Sequence, residues 1–291
     1  MTSSSALHRG LAWAAGELRS RNVKYSHARV LPWSATARFT VGSDSFWIKI
    51  SPLSQSAAEA AILTRAATLG LRSMPRLIAA SEELGACVLA HVEQTAQLRE
   101  HHQAEEAASA ISADLAMAGA GALAVPALSV DTCLAGILRA CRATPWWLTP
   151  PVARALAETI STRQDDVTEL DRRLDGTHTV VHGDLHPGNV LPTRDGLVII
   201  DWADAALGHQ LWDRATYRSA TGYEDRADAL SPLYPVLCAL KELFDYSRMP
   251  DPCPGAGYST NLPTLVAYAS RRALSLLRSL AAQPTWKEAL S

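Results

Sequence analysis

The residues with the clearest chemical potential stand in one island of the 291-residue chain. It reads His182-Gly183-Asp184-Leu185-His186-Pro187-Gly188-Asn189-Val190-Leu191 and continues after a turn as Leu197-Val198-Ile199-Ile200-Asp201-Trp202. Two apolar runs flank Asp195-Gly196, a pattern that predicts a β-hairpin turning on those two residues. Such a hairpin puts Asn189 just before its first strand and Asp201 at the end of its second, with Asp184 on the loop leading in. Three oxygen-bearing side chains then converge at one rim. That set suits phosphoryl transfer to a hydroxyl: a carboxylate orients the acceptor and takes its proton, while an Asp and an Asn offer hard oxygens to a magnesium ion that bridges phosphates.

The spacing D-x-x-x-x-N followed by I-I-D matches the constellation of protein kinases. His182-Gly183-Asp184 stands where those enzymes carry H-R-D, and Asp201-Trp202-Ala203 where they carry D-F-G. The lack of Arg at 183 and of Phe-Gly after 201 points away from a protein kinase with a phosphorylation-gated loop. The combination resembles the aminoglycoside phosphotransferase family and its small-molecule kinase relatives, including choline-kinase-like enzymes. The resemblance implies an α+β, bilobal, protein-kinase-like fold, with a β-rich amino-terminal lobe and an α-rich carboxy-terminal lobe. It implies Asp184 as catalytic base, Asn189 and Asp201 as ligands of Mg2+, and ATP or GTP as phosphoryl donor. It also offers Asp213, in Trp212-Asp213, as a brace beneath the catalytic loop; the alternative is a solvent-facing helix residue.

The same resemblance calls for a phosphate-binding lysine on the third strand and a glutamate on the next helix. Phe46-Trp47-Ile48-Lys49-Ile50 is an apolar strand with one lysine, in a chain that has only four (Lys24, Lys49, Lys241 and Lys287). A compact ammonium suits phosphate oxygens. Glu59 is the only acid of the following helix and is placed to pair with Lys49. Where a glycine-rich nucleotide loop would stand, the chain reads Leu31-Pro32-Trp33-Ser34-Ala35-Thr36-Ala37-Arg38, without glycine. The hydroxyls of Ser34 and Thr36, with Arg38, are the candidate substitutes. Cys87 to Val92 falls where such kinases link their lobes, so backbone groups from Ala90 to Val92 are expected to meet a purine, with His91 a surface linker residue.

Elements that must hold these groups are readable from periodicity and punctuation. Helical spacing predicts a helix over about 5–21, then strands over 26–31, 36–41 and 45–50. Ser54 opens a helix that Gly70 ends, and strands follow at 76–80 and 86–92. Helices are expected over 103–118, 130–141, 149–174, 210–221, 226–247 and 260–282, with a loop rich in Pro and Gly at 249–263. The lobes therefore divide as 1–92, a five-stranded sheet with two helices that grips the nucleotide, and 93–291, helical with the catalytic loop and hairpin embedded. Trp146 and Trp147 are read as core.

Composition narrows the partners. With 27 Lys and Arg against 29 Asp and Glu, the net charge of −2 gives neither the basic footprint of a nucleic-acid binder nor a polybasic membrane anchor. The uncharged stretch 115–130 is too short and too broken by Gly and Pro to span a bilayer. Five scattered cysteines without a C-x-x-C pair, and no secretory leader, are the pattern of reduced thiols in the cytoplasm. His182-x-Asp184-x-His186 also permits a hydrolase metal cluster. The remaining histidines form no second spaced pair, so His182 is expected in the core, bracing the loop by hydrogen bonds. The leading function is Mg2+-dependent phosphorylation of a hydroxyl on a small molecule, foremost an antibiotic such as an aminoglycoside or a basic peptide, giving resistance. The alternatives are a kinase of a choline-like or other hydroxylated metabolite, or a catalytically silent kinase-like binding protein. Asp204, Glu224, Asp225 and Asp228, with Trp202, Trp212, Tyr217, Tyr223, Tyr246 and Tyr258, are the candidates for the acceptor rim.

Overall fold

Alternation of apolar and polar residues along neighbouring strands builds the amino-terminal sheet. Its strands are β1 (Lys24–Val30), β2 (Ala35–Val41), β3 (Asp44–Ile50), β4 (Leu77–Ser81) and β5 (Ala86–Ala90), in spatial order β1-β2-β3-β5-β4 and antiparallel throughout. The computed structural model describes residues 3–19, 24–30, 34–51, 53–95, 101–117, 123, 125–143, 145–163, 172, 178–222, 233–248 and 262–282. Ala35, Ala37 and Phe39 of β2 and Phe46, Ile48 and Ile50 of β3 point to one face and are buried there. Helix α1 (Ser3–Glu17) covers that face through Leu7 and Ala14. Helix α2 (Leu53–Leu69) joins β3 to β4 and buries Ala58, Ile62, Leu63 and Ala66. Helix α3 (His101–Met117) follows the sheet.

Contacts group the chain into two compact units: Met1–Pro126 with His182–Ala205, and Ala127–Val181 with Ala206–Ser291. A boundary near residue 92 divides the chain by element type, whereas contacts divide it by packing. The hairpin segment goes with the sheet-bearing unit because its backbone is tied there. Thr95 N–H donates to Pro192 O at 2.9 Å, and Ile199 N–H to Ser73 O at 2.9 Å.

The second unit contains α4 (Val130–Arg142), α5 (Pro150–Thr162), α6 (Leu211–Thr221), α7 (Tyr234–Arg248) and α8 (Leu262–Ala282). Ser129 caps α4, its hydroxyl accepting from Thr132 N–H at 3.0 Å. Ile137, Trp147, Leu156, Trp212, Leu237, Leu240 and Leu276 meet in its core. The expected extension of α5 to residue 174, the start of the helix at 226 and the loop over 249–263 fall on stretches lying wholly or largely outside the described residues.

Three short strands were not legible in the sequence. β6 (Ala127–Leu128), β7 (His178–Val181) and β10 (Ala206–His209) form a sheet in the order β6-β10-β7, with β10 antiparallel to β7 and parallel to β6. Runs of two to four residues are too short for a period of two to declare itself. Gly208 makes the pairing possible, because a Cβ there would stand 2.7 Å from Leu128 O. Gly208→Ala is therefore expected to lower stability by about 1–3 kcal/mol, measured by urea denaturation.

Candidate active site

The loop from His182 to Asn189 is held by its own backbone. Strands β8 (Val190–Thr193) and β9 (Gly196–Ile199) pair antiparallel, Thr193 opposite Gly196. The two-residue turn is thus Arg194-Asp195, one position earlier than expected. Neither residue has a positive φ; Gly196 takes it instead, at 124°. Thr193 closes the turn, its hydroxyl accepting from Asp195 N–H and donating to Gly196 O. At the open end Ile200 N–H donates to Asn189 O at 2.9 Å, which sets Asn189 and Asp201 side by side. Asn189 is buried, and its amide Nδ2 donates to Asp184 O at 2.9 Å.

His182 is fully buried and both of its ring nitrogens are engaged: Nε2–H with Ile200 O at 2.8 Å, and Nδ1 with the N–H of Asp184 at 3.2 Å. Its ring packs on buried Trp202, centroids 4.7 Å apart. His182 therefore has no lone pair for a metal, and the cluster His182-x-Asp184-x-His186 is not a hydrolase site. Gly183 explains why this loop lacks the kinase arginine. Its φ is 81°, and a Cβ there would lie 2.1 Å from Asp204 O.

The charges meet around Lys49. On β3 it is opposite Thr36 of β2 and Cys87 of β5, so the three share the sheet face turned away from α1. Its ammonium is 3.0 Å from Oε2 of Glu59, which is completely buried in α2, and contacts Oδ1 of Asp201 directly. Oε1 of Glu59 accepts the N–H of Trp202 at 3.1 Å, so one carboxylate braces both the lysine and the residue after Asp201. Asp201 sits in the left-handed region (φ 67°, ψ 59°), which is uncommon for a residue with a Cβ and is a feature of functional positions. Gln55 of α2 adds a further tie, its amide donating to Asp204 Oδ1 at 2.8 Å.

Burial alone would lower the Lys49 pKa, but the charges of Glu59 and Asp201 outweigh it and hold the ammonium above its ordinary range. Burial would raise Asp201, but Lys49 holds its carboxyl below the usual range. At Glu59 burial dominates over the attraction of Lys49 and pushes the carboxyl up. Burial pushes the His186 imidazole down.

Ser34 precedes β2 and is half-buried, and Thr36 lies beside Lys49; residues 31–33 of the glycine-free connection lie outside the described residues. In the linker, Ala90 N–H donates to Arg76 O and His91 N–H to Ser45 O. Val92 is left as the linker position whose N–H makes no backbone bond among the described residues. His91 does more than link: its Nδ1 accepts the indole N–H of Trp47 at 3.0 Å. Trp47 stands two residues before Lys49 and so shares its sheet face, a relation readable from the period of two. Trp202, Trp212 and Tyr217 are buried in the core, so they do not line an acceptor rim as expected. Asp213 is also buried, at 6% exposure, which rules out a solvent-facing position. Glu224, Asp225, Asp228, Tyr223 and Tyr258 lie outside the described residues.

The oxygen donors fit a hard divalent cation. The Asn189 amide nitrogen is turned to Asp184 O, which leaves its oxygen for a ligand, and Asp201 is held ionised with its side chain 46% exposed.

The profile of APH, the phosphotransferase enzyme family, matches residues 29–249. No curated protein sequence matches the chain significantly. Among solved structures it is similar to a microcompartment-associated aminopropanol kinase (15% identity, 94% of this chain and 98% of that chain, TM-score 0.60). Another is choline kinase LicA from Streptococcus pneumoniae (13% identity, 95% and 99%, TM-score 0.60). A third is a thermostable mutant of aminoglycoside phosphotransferase APH(4)-Ia in ternary complex with AMP-PNP and hygromycin B (14% identity, 94% and 98%, TM-score 0.59). These likenesses show a shared fold.

Removing the cation exposes the coupling of the three charges. Lys49→Met is expected to cost about 3–5 kcal/mol at neutral pH by leaving Glu59 buried and unpaired. Without Lys49, the folded pKa of Glu59 rises further above its unfolded value, so stability falls as pH rises through it. The deficit therefore narrows between about pH 8 and pH 5, and adding Glu59→Gln recovers much of it, read by urea denaturation at both values.

Proposed function

Since the chain belongs to the APH phosphotransferase enzyme family, we propose that it moves the γ-phosphoryl group of a magnesium nucleotide to a hydroxyl of a small molecule, with Asp184 taking the hydroxyl proton. The observation that carries this reading is the junction of Lys49, Glu59 and Asp201, brought together across 152 residues of chain. Lys49 is the ligand of the nucleotide phosphates and Glu59 fixes its ammonium. Asn189 and Asp201 hold Mg2+, which when bound neutralises the charge shared by the phosphates. Ser34 and Thr36 flank the phosphates, and the backbone of Ala90 and Val92 meets the base. Structural neighbours with AMP, ADP or AMP-PNP support an adenine nucleotide, and GTP is the other donor to test.

Catalysis in this arrangement is positioning and electrostatics. Lys49 stays charged across the neutral range, so it presents a fixed cation to the phosphates. The backbone bonds of His182 and Asn189 hold Asp184 in place before the acceptor arrives.

The acceptor we favour is a hydroxylated antibiotic, in line with the hygromycin B held by one neighbour, and resistance would be the outcome. A choline-like or amino-alcohol acceptor is the second reading, supported by the choline kinase and aminopropanol kinase likenesses. No helix among the described residues is long and apolar enough to cross a membrane. The four described cysteines are free thiols, and the reducing cytoplasm is the location we propose.

The deciding experiment incubates the protein with Mg2+, ATP or GTP, and a panel of aminoglycosides, basic peptide antibiotics, choline and amino alcohols, read by mass gain of one phosphate. A phosphorylated antibiotic supports the first reading and a phosphorylated amino alcohol the second. Asp184→Ala is expected to keep nucleotide binding and lose turnover by about 10²–10⁴-fold; near-wild-type turnover would refute Asp184 as the base.

A further inference from the structure

The imidazole of His186 has no part in the reaction as proposed, yet the chain builds a seat for it. The backbone of His186 is extended (φ −149°, ψ 165°), and its side chain caps the short 3-10 turn Pro187–Asn189. Gly188 N–H donates to Nδ1 at 3.0 Å. A Cβ on Gly188 would stand 2.8 Å from Cε1 and 3.0 Å from Nδ1, so the absence of a side chain at 188 is what lets the ring lie over the turn. With Nδ1 accepting, the proton of the neutral ring is on Nε2. Nε2 lies 3.8 Å from Oδ2 of Asp184.

From this geometry we infer that His186 is a positioning residue for the Asp184 carboxylate, its Nε2–H restraining Oδ2 so that the other oxygen is directed at the acceptor. The inference rests on the reading of Asp184 as the base. The side chains are 41% and 52% exposed, so the carboxylate can be reached from solvent with the ring beside it. A separation of 3.8 Å is longer than a hydrogen bond, and such contacts in ligand-free enzymes tighten when the substrate is bound. The proton passes from the acceptor hydroxyl to Asp184; His186 keeps its own proton and sets the angle of transfer.

Two substitutions separate the nitrogens of the ring. His186→Asn keeps an oxygen that can accept from Gly188 N–H but has no donor at the Nε2 position. His186→Gln carries an amide N–H to that position. Turnover is measured with Mg2+ and ATP, as phosphate release to water and as transfer to whichever of hygromycin B, choline and aminopropanol gains phosphate fastest. Thermal denaturation checks the fold. His186→Asn is expected to melt as the wild type, with nucleotide KM within about twofold and kcat down about 10–100-fold, while His186→Gln recovers most of the loss. Wild-type kcat in His186→Asn, or equal losses in both variants, overturns the inference. If His186→Asn does not fold, His186→Ala takes its place in the comparison. A parallel Asp184→Asn variant that keeps turnover overturns the base assignment instead, so the two failures are told apart.

Discussion

An ammonium group held between two carboxylates organises the sheet-bearing unit. Lys49 has little exposure and Glu59 has none, and either charge alone in that position would be unstable by several kcal/mol. They are tolerated because each is the partner of the other and because Asp201, half-exposed, shares the cation. This makes three elements interdependent. Helix α2 must dock to bring Glu59 in, β3 must be in register to aim Lys49 at it, and the hairpin must close to deliver Asp201. The Trp202 N–H donated to Glu59 locks the last of these to the first.

The loop from His182 to Asn189 follows a different principle. Leu185 is buried and the His182 ring packs on Trp202, while three of its side chains answer backbone groups. His182 binds Ile200 O and Asp184 N–H, Asn189 binds Asp184 O, and His186 accepts from Gly188 N–H. Such a network orders the loop before any ligand arrives, so less ordering is needed at the moment of reaction. It also accounts for the glycines. Gly183 and Gly188 are places where the backbone of one turn meets another group too closely for a Cβ.

The fold does not by itself fix an acceptor. The fold is shared at similar TM-scores by kinases of an amino alcohol, of choline and of an aminoglycoside, so the fold supplies the transfer machinery and leaves the acceptor open. Several aromatics that could have formed an acceptor wall are used for packing instead. Trp202, Trp212 and Tyr217 are buried where their area stabilises most, whereas Tyr246 and Tyr268 remain partly exposed, with ring centroids 6.4 Å apart.

Much of the site was legible in the residues alone. Asp184, Asn189 and Asp201 declare themselves by spacing, because a turn and two short strands fix how far apart they can be. Lys49 and Glu59 were found because the resemblance carried by that island calls for such a pair, and a lone cation in an apolar strand and a lone acid in an alanine-rich helix answer it. The long helices and the five-stranded sheet were visible because their burial imposes a period of 3.6 or 2 over enough residues to be read. Other features needed the tertiary structure. The strands β6, β7 and β10 are too short to carry a period, and which chain edges they pair with is set by contacts far away in sequence. The left-handed backbone of Asp201 and the Trp47–His91 bond depend on groups meeting across the fold. Local sequence holds the chemistry a residue can offer, while the partner that brings it out is chosen only when distant segments pack.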